Sequence, residues 1–217
     1  MSLFRLDASI RVDGSASREI ADIVEREWRA GNPDAPVTRR HVGTEPIPAT
    51  AWGEAVSGSY LSADQRTPAQ TEAATLAATL ADELADAEAL LFAVPLYNFG
   101  VSQHMKSYVD LVICDPRFGP RAEAPTTGKP AVLVTVRGGN YSAGTPREGW
   151  DHATSWMRRI LEDVWGMDLR VVERDFTLVG VNPALDSFTE MAAELKATAE
   201  REAAEHGRLL TTARAAA

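Results

Sequence analysis

The run Leu90-Leu91-Phe92-Ala93-Val94, closed by Pro95, constrains this chain more than any other stretch. Five consecutive apolar residues leave no polar face, so a strand built from them is buried on both sides, as in a parallel sheet covered by helices. Pro95 predicts a sharp stop, because it has no N–H with which to continue a ladder. Val101, Met105, Tyr108, Val109 and Val112 then recur at helical spacing. Between the strand and this helix lie Tyr97, Asn98 and Phe99, at a strand's carboxyl end, where open α/β sheets hold their ligands. Aromatic and amide groups in succession there predict a slot for a flat aromatic ligand.

A similar unit opens the chain. Leu3, Leu6 and Ala8 mark a short extended segment, followed by the hydroxyl-rich run Ser9 to Ser17 with Gly14 inside it. Ile20, Ile23, Val24 and Trp28 then share one helical face, with Ser17 as the expected N-cap and Gly31-Asn32-Pro33 as the stop. Strand, serine-rich loop and helix N-terminus together make an anion site, in which backbone N–H groups and neutral hydroxyls converge on a phosphate. Ser9, Ser15 and Ser17 are the candidates. The alternative is that Ser17 only caps the helix and the other serines solvate a turn. Neither the Gly-x-Gly-x-x-Gly fingerprint nor a P-loop is present here.

The rest of the chain continues the alternation. Residues 36–42 read as an edge strand, and about 43–67 as a polar covering loop holding Trp52, Val56, Tyr60 and Leu61. Leu76, Leu80 and Leu84, four apart, predict a helix over about 68–86. Residues 113–128 carry scattered prolines and read as a lid or interface loop. Ala131 to Val136 is a clear strand and runs into Arg137-Gly138-Gly139, where paired glycines either make a tight turn or let a ligand approach the backbone. Trp150, Ala153, Met157, Ile160, Leu161 and Val164 predict a helix ended by Gly166; a last strand over 169–179 and a closing helix over about 186–210 follow. Five strand–helix alternations predict a single domain over 1–217: a flavodoxin-like, doubly wound, five-stranded parallel sheet of order 2-1-3-4-5 with helices on both faces.

Composition removes several functions. A formal net charge of −9 and a pI near 5.0 argue against nucleic acid as a partner. Cys114 stands alone, and His41, His104, His152 and His206 lack metal-ligand spacing, so no metal is expected. No stretch is long and apolar enough for a membrane span, and the N-terminal residues do not read as a signal peptide, so a cytoplasmic protein without membrane contact is expected.

Pro95-Leu96-Tyr97-Asn98-Phe99-Gly100-Val101, followed by Met105-Lys106-Ser107-Tyr108-Val109-Asp110, resembles the flavin loop of the FMN-dependent NADH:azoreductases and NADH:quinone oxidoreductases. The serine loop, the Thr127-Gly128-Lys129-Pro130 entry and Arg137-Gly138-Gly139 are similar to that family in order and spacing, so the resemblance covers essentially the whole chain. It implies a tightly bound FMN, with Ser9, Ser15, Ala16 and Ser17 on the phosphate. Pro95, Leu96, Tyr97, Asn98 and Phe99 would lie along the isoalloxazine, and Val136, Arg137, Gly138 and Gly139 at its pyrimidine edge, with Asn98 and backbone N–H groups as donors near N1, N5 and O2. It further implies NADH or NADPH as donor, a quinone or azo acceptor, ping-pong hydride transfer through flavin N5 and no catalytic protein nucleophile. Members form homodimers with the flavin near the interface, which makes the excursion around Phe118 the expected aromatic wall of the partner's site. Val136, Leu96 and His104 depart from residues common in the family, and His104, in the first turn of its helix, is a candidate proton donor. Two other readings remain open: a flavodoxin-like electron carrier or redox-responsive module, and a reductase dedicated to one quinone-like natural product.

Overall fold

In the computed structural model, which describes residues 1–212, strands and helices alternate from the start of the chain: β1 (Leu3–Asp7), α1 (Ala16–Gly31), β2 (Val37–Arg40), α2 (Ala51–Ser59), α3 (Pro68–Asp86), β3 (Ala89–Tyr97), β4 (Gly100–Val101), α4 (Gln103–Val112), β5 (Pro130–Val136), α5 (Thr154–Arg158), β6 (Asp168–Arg174) and α6 (Thr189–Thr212). The five long strands form one parallel sheet in the order β2-β1-β3-β5-β6. β4 pairs antiparallel with the end of β3 and adds no member to the parallel set. Counted without it, the order is the flavodoxin-like 2-1-3-4-5 that the sequence predicts.

The apolar run in β3 is the centre of this sheet because its alternate residues serve two cores. Leu90, Phe92 and Val94 pack with α3, α4 and α5, whereas Leu91 and Ala93 pack with α1 and α6. At about 1.5–3 kcal/mol for each large apolar side chain removed from water, this strand carries much of the drive for layering helices on both faces. β1 is also buried along its whole length, although it contains Arg5 and Asp7. Arg5 is tolerated there because its guanidinium meets Asp7 (3.1 Å), Asp22 (2.6 Å) and Glu25 (3.0 Å).

Several elements differ from the sequence expectation. Pro95 does not stop β3, which continues to Tyr97 with Pro95 opposite Val136. The reason lies in the neighbour: β1 makes its last bond through Ala8 N–H to the Ala93 carbonyl (2.9 Å), so the side toward which residue 95 would donate no longer holds a strand. Residues 43–67 are not an unbroken loop, because α2 lies within them and buries only Ala51, Ala55 and Gly58. Trp150 falls outside its expected helix and is exposed; α5 starts at Thr154 and continues as one wide π turn over Arg159–Val164. β6 ends at Arg174, and beyond Phe176 (φ 56) the N–H groups of Thr177 and Leu178 bond back to the carbonyls of Arg137 and Gly138. Phe118 is fully buried, edge-on to Trp165 at 5.4 Å, so it completes this chain's own core and presents no wall to a partner.

Candidate cofactor site

The carboxyl ends of β1, β3 and β5 meet around one cleft, lined by Ser9, Ile10, Arg11, Gly14, Ser15, Ala16 and Ser17 on one side and by Pro95, Leu96, Tyr97, Val136, Gly138, Thr177 and Leu178 on the other. Its first wall is built for an anion. The three serines are buried, and the Ser15 and Ser17 hydroxyls lie 3.3 Å apart. Gly14 takes a left-handed turn (φ 65) that brings the chain into α1. Ser15, not Ser17, is the N-cap: it is extended, and its hydroxyl accepts from Arg18 N–H at 3.5 Å. Ser17 is thereby freed from capping and sits in the first helical turn. The first main-chain bond of α1 runs from Glu19 N–H to the Ser15 carbonyl (3.0 Å), which leaves the N–H groups of Ala16 and Ser17 ahead of the helical ladder.

Arg18 holds this loop from beneath. Its Nε donates to the Arg11 carbonyl (3.1 Å) and its Nη2 to the Ser9 carbonyl (3.5 Å), while Nη1 lies 3.2 Å from Asp7 and 2.9 Å from His41 Nδ1. Two loop carbonyls are thus turned toward a cation and away from the cleft. Gly43 closes the floor, since a Cβ there would stand 2.0 Å from the Ser9 carbonyl oxygen.

The second wall is the β3–β4 hairpin. Leu96 pairs with Val101 and Tyr97 with Gly100, which leaves Asn98 (φ 49) and Phe99 (φ 66) as a two-residue turn with both φ positive. Such turns match strand twist, but they favour Asn and Gly; a phenylalanine there is strained by about 1 kcal/mol. Asn98 and Phe99 are exposed at the tip, and Phe99 packs on Trp150 (5.5 Å) and Tyr141 (6.5 Å). The His152 N–H donates to the Phe99 carbonyl (3.0 Å), fixing the loop before α5 onto this tip.

The third wall is the end of β5 and the turn after it. Val136 and Gly138 line the cleft, but the side chain of Arg137 points away from it, as strand alternation requires. Its buried guanidinium is held by Asp151 (3.1 Å), Glu173 (2.6 Å) and Asp175. Burial pushes the Asp175 carboxyl above its ordinary range despite Arg137. Asp151 goes the other way: burial is outweighed by the Thr154 and Ala153 donors and by Arg137, which hold its carboxyl low. The paired glycines also have an internal reason. A Cβ on Gly138 would meet Leu178 at 2.7 Å, and one on Gly139 would meet Arg147 at 2.9 Å.

The cleft therefore gathers Ser9, Ser15, Ala16, Ser17, Pro95, Leu96, Tyr97, Val136 and Gly138, with Asn98, Phe99 and Gly139 beside it in the same turns. His104 does not line it; that side chain is half-buried, with Nδ1 lacking a hydrogen-bond partner. Sequence reasoning missed Arg11, Thr177 and Leu178. Arg11 had a legible signal, a cation inside the serine loop, whereas Thr177 and Leu178 reach the cleft only because the chain bends after β6. Hydroxyls, free N–H groups and a cation at one end, with an apolar slot at the other, fit a phosphate ester on a flat ring.

The flavodoxin-like fold family model matches residues 1–201. The FMN-dependent NADH:quinone oxidoreductase of Frankia alni is 37% identical over 201 residues, covering 92% of this chain and 95% of its own. Its namesake in Kineococcus radiotolerans is 35% identical over 215 residues, covering 98% and 96%. Among solved structures, the azoreductase AzrA superposes with a TM-score of 0.76 at 18% identity, over 96% of this chain and all of its own. An FMN-dependent NADH-azoreductase of Bacillus anthracis, solved with FMN, gives 0.69 at 13% identity, over 94% and 100%. At those identities the structures speak for the fold alone; the family match and the sequence relatives carry the rest. The chain belongs to the flavodoxin-like family of FMN-dependent NADH:quinone oxidoreductases.

Proposed function

We propose that this chain binds FMN in the cleft and reduces quinones or azo compounds with NADH or NADPH. One observation carries the reading: a single cleft joins a helix-N-terminal hydroxyl loop to an apolar slot between two strand-end turns. Relatives named for the NADH:quinone reaction support it. Held there, FMN would supply two-electron hydride chemistry between a nicotinamide donor and the acceptor, in the ping-pong order this reading implies.

The chain's own residues bind and orient. Ser9, Ser15 and Ser17, the N–H of Ala16 and the charge of Arg11 hold the phosphate. Pro95, Leu96, Tyr97, Val136 and Gly138 would hold the ring, with Asn98, Phe99 and Gly139 beside it and Asn98 and backbone N–H groups as the available donors. The aromatic tip of Phe99, Tyr141 and Trp150 limits water above the slot. No protein nucleophile takes part, and because His104 does not line the cleft, solvent at the open mouth supplies protons.

Ile10, Val12 and Leu178 expose apolar surface in or beside the cleft walls, which supports a homodimer with the flavin near the shared face. A monomeric and fully active enzyme in sedimentation would remove that part of the proposal. The reaction itself is tested by anaerobic steady-state kinetics with NADH varied at several fixed concentrations of menadione or methyl red. Parallel double-reciprocal lines are expected. Intersecting lines contradict the ping-pong order, and absence of turnover with both acceptors contradicts the reading as a whole.

A further inference from the structure

The loop over residues 140–152 carries three charged side chains, Arg147, Glu148 and Asp151. Two are engaged within the fold. Glu148 accepts from Gly144 N–H (2.8 Å), and Asp151 takes the Ala153 and Thr154 N–H groups, the Thr154 hydroxyl and Arg137. Arg147 is left over. Its Nη1 makes one long bond to the Tyr141 hydroxyl (3.5 Å), its Cζ lies 5.8 Å from the Tyr141 ring centroid, and it pairs with no carboxylate among the described residues.

Arg147 Nη1 lies 2.9 Å from where a Cβ on Gly139 would stand, so glycine at that position admits the guanidinium against the third wall's turn. Tyr141 packs on Phe99, and Phe99 packs on Trp150; of that trio, Phe99 and Trp150 are exposed at 42% and 49%. An exposed guanidinium with no carboxylate partner among the described residues therefore stands at the edge of an exposed aromatic cluster beside the ring end of the cleft. In a chain of net charge −9, it places a positive charge at that point.

We propose that Arg147 is a specificity-determining residue that selects planar aromatic acceptors carrying a carboxylate or sulfonate on the ring itself, an inference that rests on the flavin-reductase reading above. The aryl ring lies against the exposed Phe99 ring, and the planar guanidinium forks onto two oxygens of the substituent. A nicotinamide dinucleotide presents its charge differently, since a whole ribose separates its ring from the nearest phosphate. Arg147 stands beside Tyr141 at the edge of the cluster, which favours an anion borne directly on the stacked ring.

The test uses FMN-loaded protein with 1,4-naphthoquinone and its 2-sulfonate, comparing wild type, Arg147→Ala and Arg147→Lys. Sulfonate binding to the oxidised protein is titrated separately without NADH. The ratio of kcat/KM for sulfonate over parent quinone is expected to fall about tenfold in Arg147→Ala, the effect of one charge-assisted contact, with partial recovery in Arg147→Lys and a parallel loss of sulfonate affinity. Equal losses on both quinones, a change confined to the KM for NADH, or a shift in flavin potential with the ratio intact overturns the proposal. If wild type reduces neither quinone, the reductase reading fails, and the titration alone then decides Arg147: sulfonate affinity unchanged by Arg147→Ala overturns its role.

Discussion

The Tyr97 hydroxyl spans from β3 to the β1 loop, lying 3.5 Å from the Ser9 hydroxyl and accepting from Ile10 N–H at 3.3 Å. One side chain thus ties the β3–β4 hairpin to the serine loop, two walls of the proposed FMN site. Tyr97→Phe keeps the apolar wall and removes this tie. It is expected to cost about 1 kcal/mol of stability, the usual net worth of such a bond, and to weaken FMN binding several-fold. Unchanged FMN affinity in a fluorescence titration would show that the two walls are set independently.

Ser17→Asp tests the phosphate site. A carboxylate in the first turn suits the helix dipole of α1 but repels a bound phosphate. FMN affinity should fall about tenfold or more, and by a larger factor than riboflavin affinity. Equal losses for FMN and riboflavin would place the phosphate elsewhere.

Phe99 tests whether strain is kept for the site's sake. At φ 66 a glycine is unstrained, so Phe99→Gly should leave thermal stability level or raised by up to about 1 kcal/mol while lowering kcat/KM for aromatic acceptors. A clear loss of stability would mean that contacts with Trp150 and Tyr141 outweigh the strain.

The sheet order was legible because its strands differ in pattern from its helices: β3 is a continuous apolar run, and α3 repeats leucine every four residues through Leu76, Leu80 and Leu84. Helix α2 was not legible, because its buried face is made of Ala51, Ala55 and Gly58 while Trp52 points outward, leaving no large apolar stripe to read. Pro95 looked like a terminus because its missing donor matters only if a strand lies opposite, which is a tertiary fact. Arg137 looked like a ligand because it adjoins Gly138 in sequence; strand alternation sends the two to opposite sides, and the three carboxylates that claim Arg137 come from other segments. The serine loop and the Tyr97 region, read from their residue types, line one cleft in the structure.

Arg137 is therefore expected to behave as a structural cation. Arg137→Ala leaves Asp175 buried without its partner and Asp151 with one donor fewer, and should cost roughly 3–5 kcal/mol in urea unfolding. An effect under about 1 kcal/mol would contradict that role.

Glu25 sets an acid limit on stability. Burial alone would raise its carboxyl, but donation from Arg29, Arg5 and Arg39 outweighs burial and holds it below the ordinary value of 4.5. It stays ionised in the folded chain at pH values where the unfolded chain already protonates. Its contribution is therefore present above about pH 4.5 and is lost as pH falls through the lower folded value. Between pH 7 and pH 4, Glu25→Gln should lose less stability than wild type; identical slopes in melting experiments would assign the acid sensitivity to other carboxylates.

The union of the three strand-end loops into one FMN site is tested most directly by anaerobic spectrophotometry of the purified protein mixed with FMN, then NADH, then menadione. The expected record is a yellow protein with a perturbed flavin spectrum, bleached by NADH and restored by menadione. A colourless protein whose mixture with FMN shows only the spectrum of free flavin would contradict it.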